Sequence, residues 1–281
     1  MVSVVTLADA RRAQRVQHQH DSLQNGFAAV RHGVVQLGEE GFVVPGVTPI
    51  AHLASKRPLL AQARNVAGDW AAQAGDDEVI IFLDADCLAA PQLVERYVQA
   101  LAEHPDAVVS GPVTYLEPQD SSTDMVERYL SGAVSLVDKI NPHPARPYPD
   151  ENQMFAATVE QYNVFWSLTF AMTAHTWRKI RALWGGFDES FKGYGGEDTD
   201  FGWQLRDSEV ELWWVGGAHA FHVWHPVSSP PWQNLAEIVP NANRFYEKWG
   251  EWAMLDWLKD FEQAGAVHLV NKRWELTERI Y

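Results

Sequence analysis

Apolar and polar positions alternate along the first part of this chain in blocks that read as strand, helix, strand. Val2-Ser3-Val4-Val5-Thr6-Leu7 predicts a first buried strand. Residues 8–25 are polar and helix-compatible and end at the stop signal Asn25-Gly26. His32 to Leu37 reads as a second strand, and Thr48 to Leu53 as a third, weakened by Pro49. Leu59 to Ala74 is an alanine-rich helix closed by Gly75. Val79-Ile80-Ile81-Phe82-Leu83 follows, apolar without interruption, which predicts a strand buried on both faces. Pro91 to His104 sets Leu93, Val94, Tyr97, Val98 and Leu101 on one helical face, and Ala107-Val108-Val109-Ser110-Gly111 reads as another strand. This alternation predicts an α/β fold with a doubly wound, mostly parallel sheet flanked by helices.

The pattern changes after residue 116. Asn141-Pro142-His143-Pro144-Ala145-Arg146-Pro147-Tyr148-Pro149 is incompatible with regular helix or central strand and predicts a long loop or flap. Asn163 to Ala174 is β-compatible, Thr176 to Leu183 reads as a short helix, and the segment from Leu235 is amphipathic helix. No repeat, low-complexity tract or linker divides the chain. It reads as one fused unit with a donor-binding half over 1–115, an acceptor-binding and catalytic half over 116–230, and a C-terminal helical extension over 231–281.

Composition narrows the partners. Lys plus Arg number 22 against 37 Asp plus Glu, a formal charge of -15 that argues against a nucleic-acid surface. No run approaches the ~18 apolar residues of a membrane helix, and no signal-peptide pattern opens the chain, so a cytoplasmic location is expected. The single cysteine, Cys87, permits no intrachain disulfide, and beside two carboxylates its thiolate is disfavoured, which leaves packing as its role. All of the 13 tryptophans except Trp70 lie after residue 165, and their flat faces suit a carbohydrate acceptor.

Two acidic constellations carry the chemistry. Asp84 and Asp86 follow the most apolar strand, spaced so that both point the same way if the strand continues. The carboxyl end of such a strand is the ligand crevice of an open α/β sheet. Paired carboxylates there call for a cation, and a divalent metal holding a phosphorylated ligand meets that need. The structural alternative makes Asp86 the cap of the next helix. The second constellation runs from Gly185 to Trp203, dense in glycine and aromatics, with Glu197, Asp198 and Asp200 at the predicted start of a helix, where the dipole favours them.

Together these residues carry a resemblance. Asp84-Ala85-Asp86 after an apolar strand, then Gly185-Gly186-Phe187-Asp188-Glu189-Ser190-Phe191 and Gly195-Gly196-Glu197-Asp198-Thr199-Asp200, resembles the family 2 glycosyltransferases over roughly residues 2–226. The downstream motif is also similar to that of β-1,4-galactosyltransferases and polypeptide N-acetylgalactosaminyltransferases. The resemblance implies a GT-A fold and a metal-dependent, inverting transfer of sugar from a nucleotide-sugar, expected to be a UDP-sugar, to an acceptor hydroxyl. It implies that Asp84 and Asp86 bind the metal, that Asp198 is the general base, and that Glu197 positions the acceptor. His219, His222 and His225 offer a further ligand, with His222 the best match to the family's metal histidine. Imidazole favours Mn²⁺ over Mg²⁺. Donor contacts are expected from Thr6, Arg64, Asn65, Asp84, Ala85 and Asp86, and acceptor contacts from Tyr194, Gly195, Gly196, Glu197, Trp224 and His225.

Two departures from the family pattern stand out. Gln36-Leu37-Gly38-Glu39 replaces the acidic residue that usually ends the second strand, with Glu39 or Glu40 as substitutes, and Thr6-Leu7-Ala8-Asp9 replaces the usual proline-containing turn. A sugar nucleotidyltransferase is a poorer match, because Arg11-Arg12 lacks the glycines of its basic loop. A silent nucleotide- or sugar-binding module is the other alternative, opposed by the presence of both carboxylate motifs and a candidate metal histidine. The residues leave the acceptor unnamed.

Overall fold

The computed structural model describes residues 1–26 and 30–277. In chain order the strands of the first half are β1 (Val2–Asp9), β2 (Val30–Leu37), β3 (Thr48–Leu53), β4 (Val79–Leu83), β5 (Cys87–Ala89), β6 (Val108–Ser110) and β7 (Val113–Tyr115). Helices α1 (Ala13–Gly26), α2 (Leu60–Ala71) and α3 (Leu93–Glu103) connect them. The second half adds α4 (Thr123–Leu130), β8 (Met154–Ala156), β9 (Thr169–Thr173), α5 (Ala174–Trp184), α6 (Glu197–Arg206), β10 (Leu212–Val215) and β11 (Ala220–His222). It ends in α7 (Leu235–Trp249), α8 (Leu255–Gln263), β12 (Val267–Val270) and β13 (Arg273–Leu276).

One sheet of eight strands, ordered β3-β2-β1-β4-β9-β6-β10-β8, runs through both halves. Pairings β3-β2, β2-β1, β1-β4 and β6-β10 are parallel, while β9 and β8 run against their neighbours. A second sheet of three strands, β5-β11-β7, carries the chain away from the end of β4. The expected all-helical C-terminal extension is corrected in its last part, where β12 and β13 close an antiparallel hairpin after α8. Val267 and Trp274 are buried, while residues 268–273 between them are exposed.

The core lies on both faces of β4, as its unbroken apolar run requires. Ile80 and Phe82 pack towards α2 and α5 with Phe170, Met172 and Trp177, while Ile81 and Leu83 pack towards α3 with Tyr97, Leu101 and Val109. Phe82 and Phe170 stack at 4.5 Å between ring centroids. Helix α2 approaches α5 closely enough that a Cβ on Gly68 would lie 2.4 Å from the Trp177 ring. This rigid layer fixes the carboxyl ends of β1 and β4 side by side. No described helix is long and apolar enough to cross a membrane.

Candidate active site

β4 stops at Leu83. The chain turns through Asp84-Ala85-Asp86, closed by the Cys87 amide donating to the Asp84 carbonyl at 2.9 Å. The strand does not continue, so the expectation of two carboxylates on one strand face is replaced by a turn that gives each a separate environment. Asp86 does not cap α3 either, since that helix starts at Leu93. After the turn, β5 pairs antiparallel with β11, setting Cys87 opposite His222, and the Val223 amide donates to the Asp86 carbonyl at 2.8 Å. That register brings His222 and His225 to the Asp86 side chain.

Asp86, His222 and His225 each offer a ligand atom, and these atoms lie within 4.8 Å of one another. The Nε2 of His225 stands 3.5 Å from Asp86 Oδ2. The buried Nδ1 of His222 has no hydrogen-bond partner among the described residues. Burial pulls the His222 pKa down against the attraction of Asp84 and Asp86, which keeps the imidazole neutral and able to donate a lone pair. One carboxylate and two imidazoles, one of them with an orphaned nitrogen, fit a divalent cation. Asp84, expected as a ligand beside Asp86, is not one of this three-residue cluster. Burial and the neighbouring Asp86 raise its pKa, while His222, Arg64 and Arg12 lower it. His225, expected as an acceptor contact and also offered as a metal ligand, lies in the metal-type cluster. His219 is structural, buried with its Nε2 2.8 Å from Thr114 Oγ1.

Asp86 is also held by two arginines that sequence reasoning did not single out for this role. Arg12 Nε donates to Oδ2 at 3.1 Å, and Arg15 Nη1 donates to Oδ1. Burial would raise the Asp86 pKa, but the two guanidiniums overcome that and hold it below the usual carboxylate range. Two arginines spaced by three residues directly after the first strand were the available signal.

The second carboxylate pair sits at the start of α6. Gly196 caps this helix with φ +89, a left-handed conformation that glycine adopts without strain. Phe201 fixes the helix against the sheet, stacked on Phe187 at 4.1 Å and near Phe165 and Phe170. Glu197 is buried; its Oε1 accepts from Arg64 Nη1 at 3.0 Å, and its Oε2 has no partner among the described residues. Asp198 is half-buried, and its Oδ1 accepts from the Thr199 amide at 2.8 Å. Burial and the adjacent Glu197 raise its pKa to about 6. The Arg64 guanidinium lowers the pKa of both Asp84 and Asp198. Asp200 is different: it accepts from Lys248 Nζ and from Trp249 Nε1 at 2.8 Å and belongs to the packing of α7 on α6.

Several expected donor contacts are occupied by the fold itself. Thr6 is fully buried within β1, bonded to Gln19 Oε1 at 2.5 Å and the Leu83 carbonyl at 3.0 Å, beneath the crevice rather than in it. Both amide hydrogens of Asn65 are engaged, on the Phe187 carbonyl at 2.9 Å and Glu189 Oε1 at 3.0 Å, and its Oδ1 accepts from the Phe187 amide at 2.9 Å. Asn65 therefore holds the loop before α6 in place. Ala85 is buried in a small apolar cluster with Ala8 and Val16. Gln36 clamps Phe42 through both its amide atoms, and Glu39 and Glu40 are exposed. Cys87 is buried, its thiol pushed well up by burial and the two aspartates, and it serves packing.

The acceptor side is aromatic. Tyr194 is partly exposed and stacked on Trp257 at 6.2 Å, with its amide donating to Glu237 Oε2 at 2.8 Å. Burial first, then Asp198 and Glu197, raise its hydroxyl pKa, which sets the ring beside the acidic pair. Gly195 and Gly196 have their backbone fixed from below, with Asn241 Nδ2 on the Gly195 carbonyl at 2.9 Å. Trp224 is exposed, its amide held by Ser121 Oγ at 2.8 Å. Four of the other tryptophans, Trp177, Trp203, Trp214 and Trp274, are buried in the core. The 141–149 segment is irregular as expected, but it is anchored. Arg146 is buried, donates to Ser110 Oγ at 2.7 Å, and lies 5.2 Å from the centre of the Trp214 ring. A flap moving as a unit would have to expose that guanidinium.

Comparison with known proteins follows this geometry. Residues 51–186 match the model of glycosyl transferase family 2, a segment that contains the Asp84-Ala85-Asp86 turn. That match covers just under half of the chain. The chain is 24% identical over 205 residues to validoxylamine A glucosyltransferase of Streptomyces hygroscopicus subsp. jinggangensis (strain 5008), covering 67% of the chain and 44% of the relative. The counterpart from subsp. limoneus is also 24% identical, with 41% of its length covered. The chain thus spans less than half the length of the curated relatives it matches. Among solved structures, S. aureus TarS 1-349 in complex with UDP-GlcNAc superposes with a TM-score of 0.55 at 11% identity, covering 88% of this chain and 64% of that one. GalNAc-T7 with UDP, GalNAc and Mn2+ gives 0.51 at 14% identity, covering 94% and 54%. The chain has the GT-A fold.

Proposed function

We propose that this chain transfers a sugar from a nucleotide-sugar, UDP-linked, to an acceptor hydroxyl with inversion at the anomeric carbon. The observation that carries this reading is the presence of two built clusters: Asp86, His222 and His225, whose ligand atoms lie within 4.8 Å of one another at the end of β4, and the Glu197-Asp198 pair at the start of α6, with Glu197 held by Arg64. A divalent cation held by Asp86, His222 and His225 would neutralise charge on the departing diphosphate. Asp84, next to that cluster without being part of it, accepts hydrogen bonds from donor hydroxyls. Glu197, fixed by Arg64, orients the acceptor, and Asp198 takes the proton from its attacking hydroxyl. A carboxylate with a pKa of about 6 is ionised at neutral pH yet basic enough for that task. Tyr194 and Trp224 flank the acceptor with aromatic faces, which suits a carbohydrate or another polyhydroxylated molecule. Solved neighbours that hold UDP-GlcNAc, or UDP with GalNAc and Mn2+, support the donor class and the metal. The relatives named as glucosyltransferases make a glucosyl donor the first to try.

The test is UDP release from a panel of UDP-sugars with Mn²⁺ and hydroxylated acceptors. Wild type should turn over one donor, and Asp198→Asn should lose about 10²–10⁴-fold in rate with donor affinity unchanged. An Asp198→Asn variant as fast as wild type would overturn the base assignment.

A further inference from the structure

Asp86 carries two claims that exclude one another. Its carboxylate belongs to the metal-type cluster with His222 and His225, yet both its oxygens are already covered by guanidinium groups, Oδ2 by Arg12 Nε at 3.1 Å and Oδ1 by Arg15 Nη1. A cation arriving alone would have to displace these groups and sit beside two positive charges. Neither arginine is a core pin. Their side chains retain 38% and 30% of their exposure, while the Asp86 side chain retains 5%. Both extend from the start of α1 and the turn before it, at the carboxyl end of β1, which is the parallel neighbour of β4. They reach the crevice from its rim. Arg15 is also held only loosely elsewhere, by Nη2 at 3.5 Å from the Trp224 carbonyl. Arg12 keeps a second contact with Asp9 Oδ2 at 3.3 Å, and Asp9 is also paired to Arg11, so it stays neutralised if Arg12 leaves.

Charge balance says what would draw the arginines away. Asp84 and Asp86 cancel Arg12 and Arg15, so a divalent cation alone leaves two uncompensated positive charges. A nucleotide-sugar diphosphate carries two negative charges and restores neutrality. Its phosphate oxygens match the planar forks of guanidinium better than a single shared carboxylate does. Resting on the donor-site reading above, we propose that Arg12 and Arg15 are ligands of the donor diphosphate that rest on Asp86 until the nucleotide arrives, so that metal and nucleotide bind only together. By linkage, each then tightens the other by the same factor.

The experiment follows free Mn²⁺ by electron paramagnetic resonance, with and without saturating UDP, for wild type, Arg12→Gln/Arg15→Gln and Arg15→Lys. Melting curves check that each variant is folded. Wild type should bind Mn²⁺ weakly alone and at least tenfold tighter with UDP. The double variant should bind Mn²⁺ alone more tightly than wild type, bind UDP with Mn²⁺ at least tenfold more weakly, and lose most of the coupling. Arg15→Lys keeps the cation without the fork, so it should still repel Mn²⁺ while losing part of the UDP affinity. Wild type that binds Mn²⁺ and UDP together, with variants unchanged within twofold, would overturn the role of the arginines alone. Wild type that binds no Mn²⁺ with or without UDP would overturn the donor-site reading as well.

Discussion

Asp198 and Asp86 are both carboxylates in one crevice, and their surroundings push them in opposite directions. Burial and Glu197 raise Asp198 to about 6, whereas Arg12 and Arg15 overcome burial and lower Asp86. On the proposed mechanism Asp198 is the base and works only when ionised, so kcat/KM should be flat above pH 6 and fall on acidification through it. The limb should approach about tenfold per pH unit for a single proton, measured with donor and Mn²⁺ saturating. A profile flat down to pH 5 would contradict a base with this pKa. The residue types at the site were legible in the sequence because Asp84-Ala85-Asp86 and Glu197-Asp198 are spaced closely along the chain. The partners were not. Arg12 and Arg15 meet Asp86 across more than seventy positions, and His225 joins it only through the pairing of β11 with β5. Nor does local sequence reveal that Gln19 and Leu83 engage Thr6, or that Phe187 engages Asn65.

Elements were read well where burial sets the period. Strands β1 to β4 and helices α2 and α3 match their predicted segments closely, because each packs an apolar face or run into the layer around β4. The end of β4 was not legible, since a turn at Asp84 and a continuing strand have the same composition. Segment 163–174 is strand only from Thr169; before it the chain forms a short 3-10 helix under α6. The left-handed cap of α6 makes a sharp element-scale prediction. Gly196→Ala puts a Cβ at φ +89, 3.1 Å from the Phe191 ring. The strained conformation should cost about 1–2 kcal/mol, which for a chain of this size lowers Tm by roughly 2–8 °C. It should also lower the rate by displacing Glu197 and Asp198. A melting curve and the UDP-release assay read both, and an unchanged Tm would show that the loop relaxes freely.

At the scale of the whole molecule, the C-terminal elements hold the loop before α6 from below. Glu237 accepts from the Tyr194 amide, Asn241 bonds the carbonyls of Lys192, Tyr194 and Gly195, and Lys248 with Trp249 closes on Asp200. The sequence showed an amphipathic extension but not what its faces were for. Lys248→Met should leave the buried Asp200 without its cation and cost about 3 kcal/mol, the low end for a buried pair because Lys248 keeps some contact with water. Thermal unfolding at neutral pH checks this, and a variant as stable as wild type would mean that Trp249 alone satisfies Asp200.

The most direct test of the account is calorimetric titration of UDP and UDP-sugars into wild type and Asp86→Ala, each with and without Mn²⁺. Wild type should bind a UDP ligand in a metal-dependent way, and Asp86→Ala should lose that metal dependence. Binding that is identical with and without Mn²⁺, or unaffected by Asp86→Ala, would contradict a donor site built on Asp86, His222 and His225.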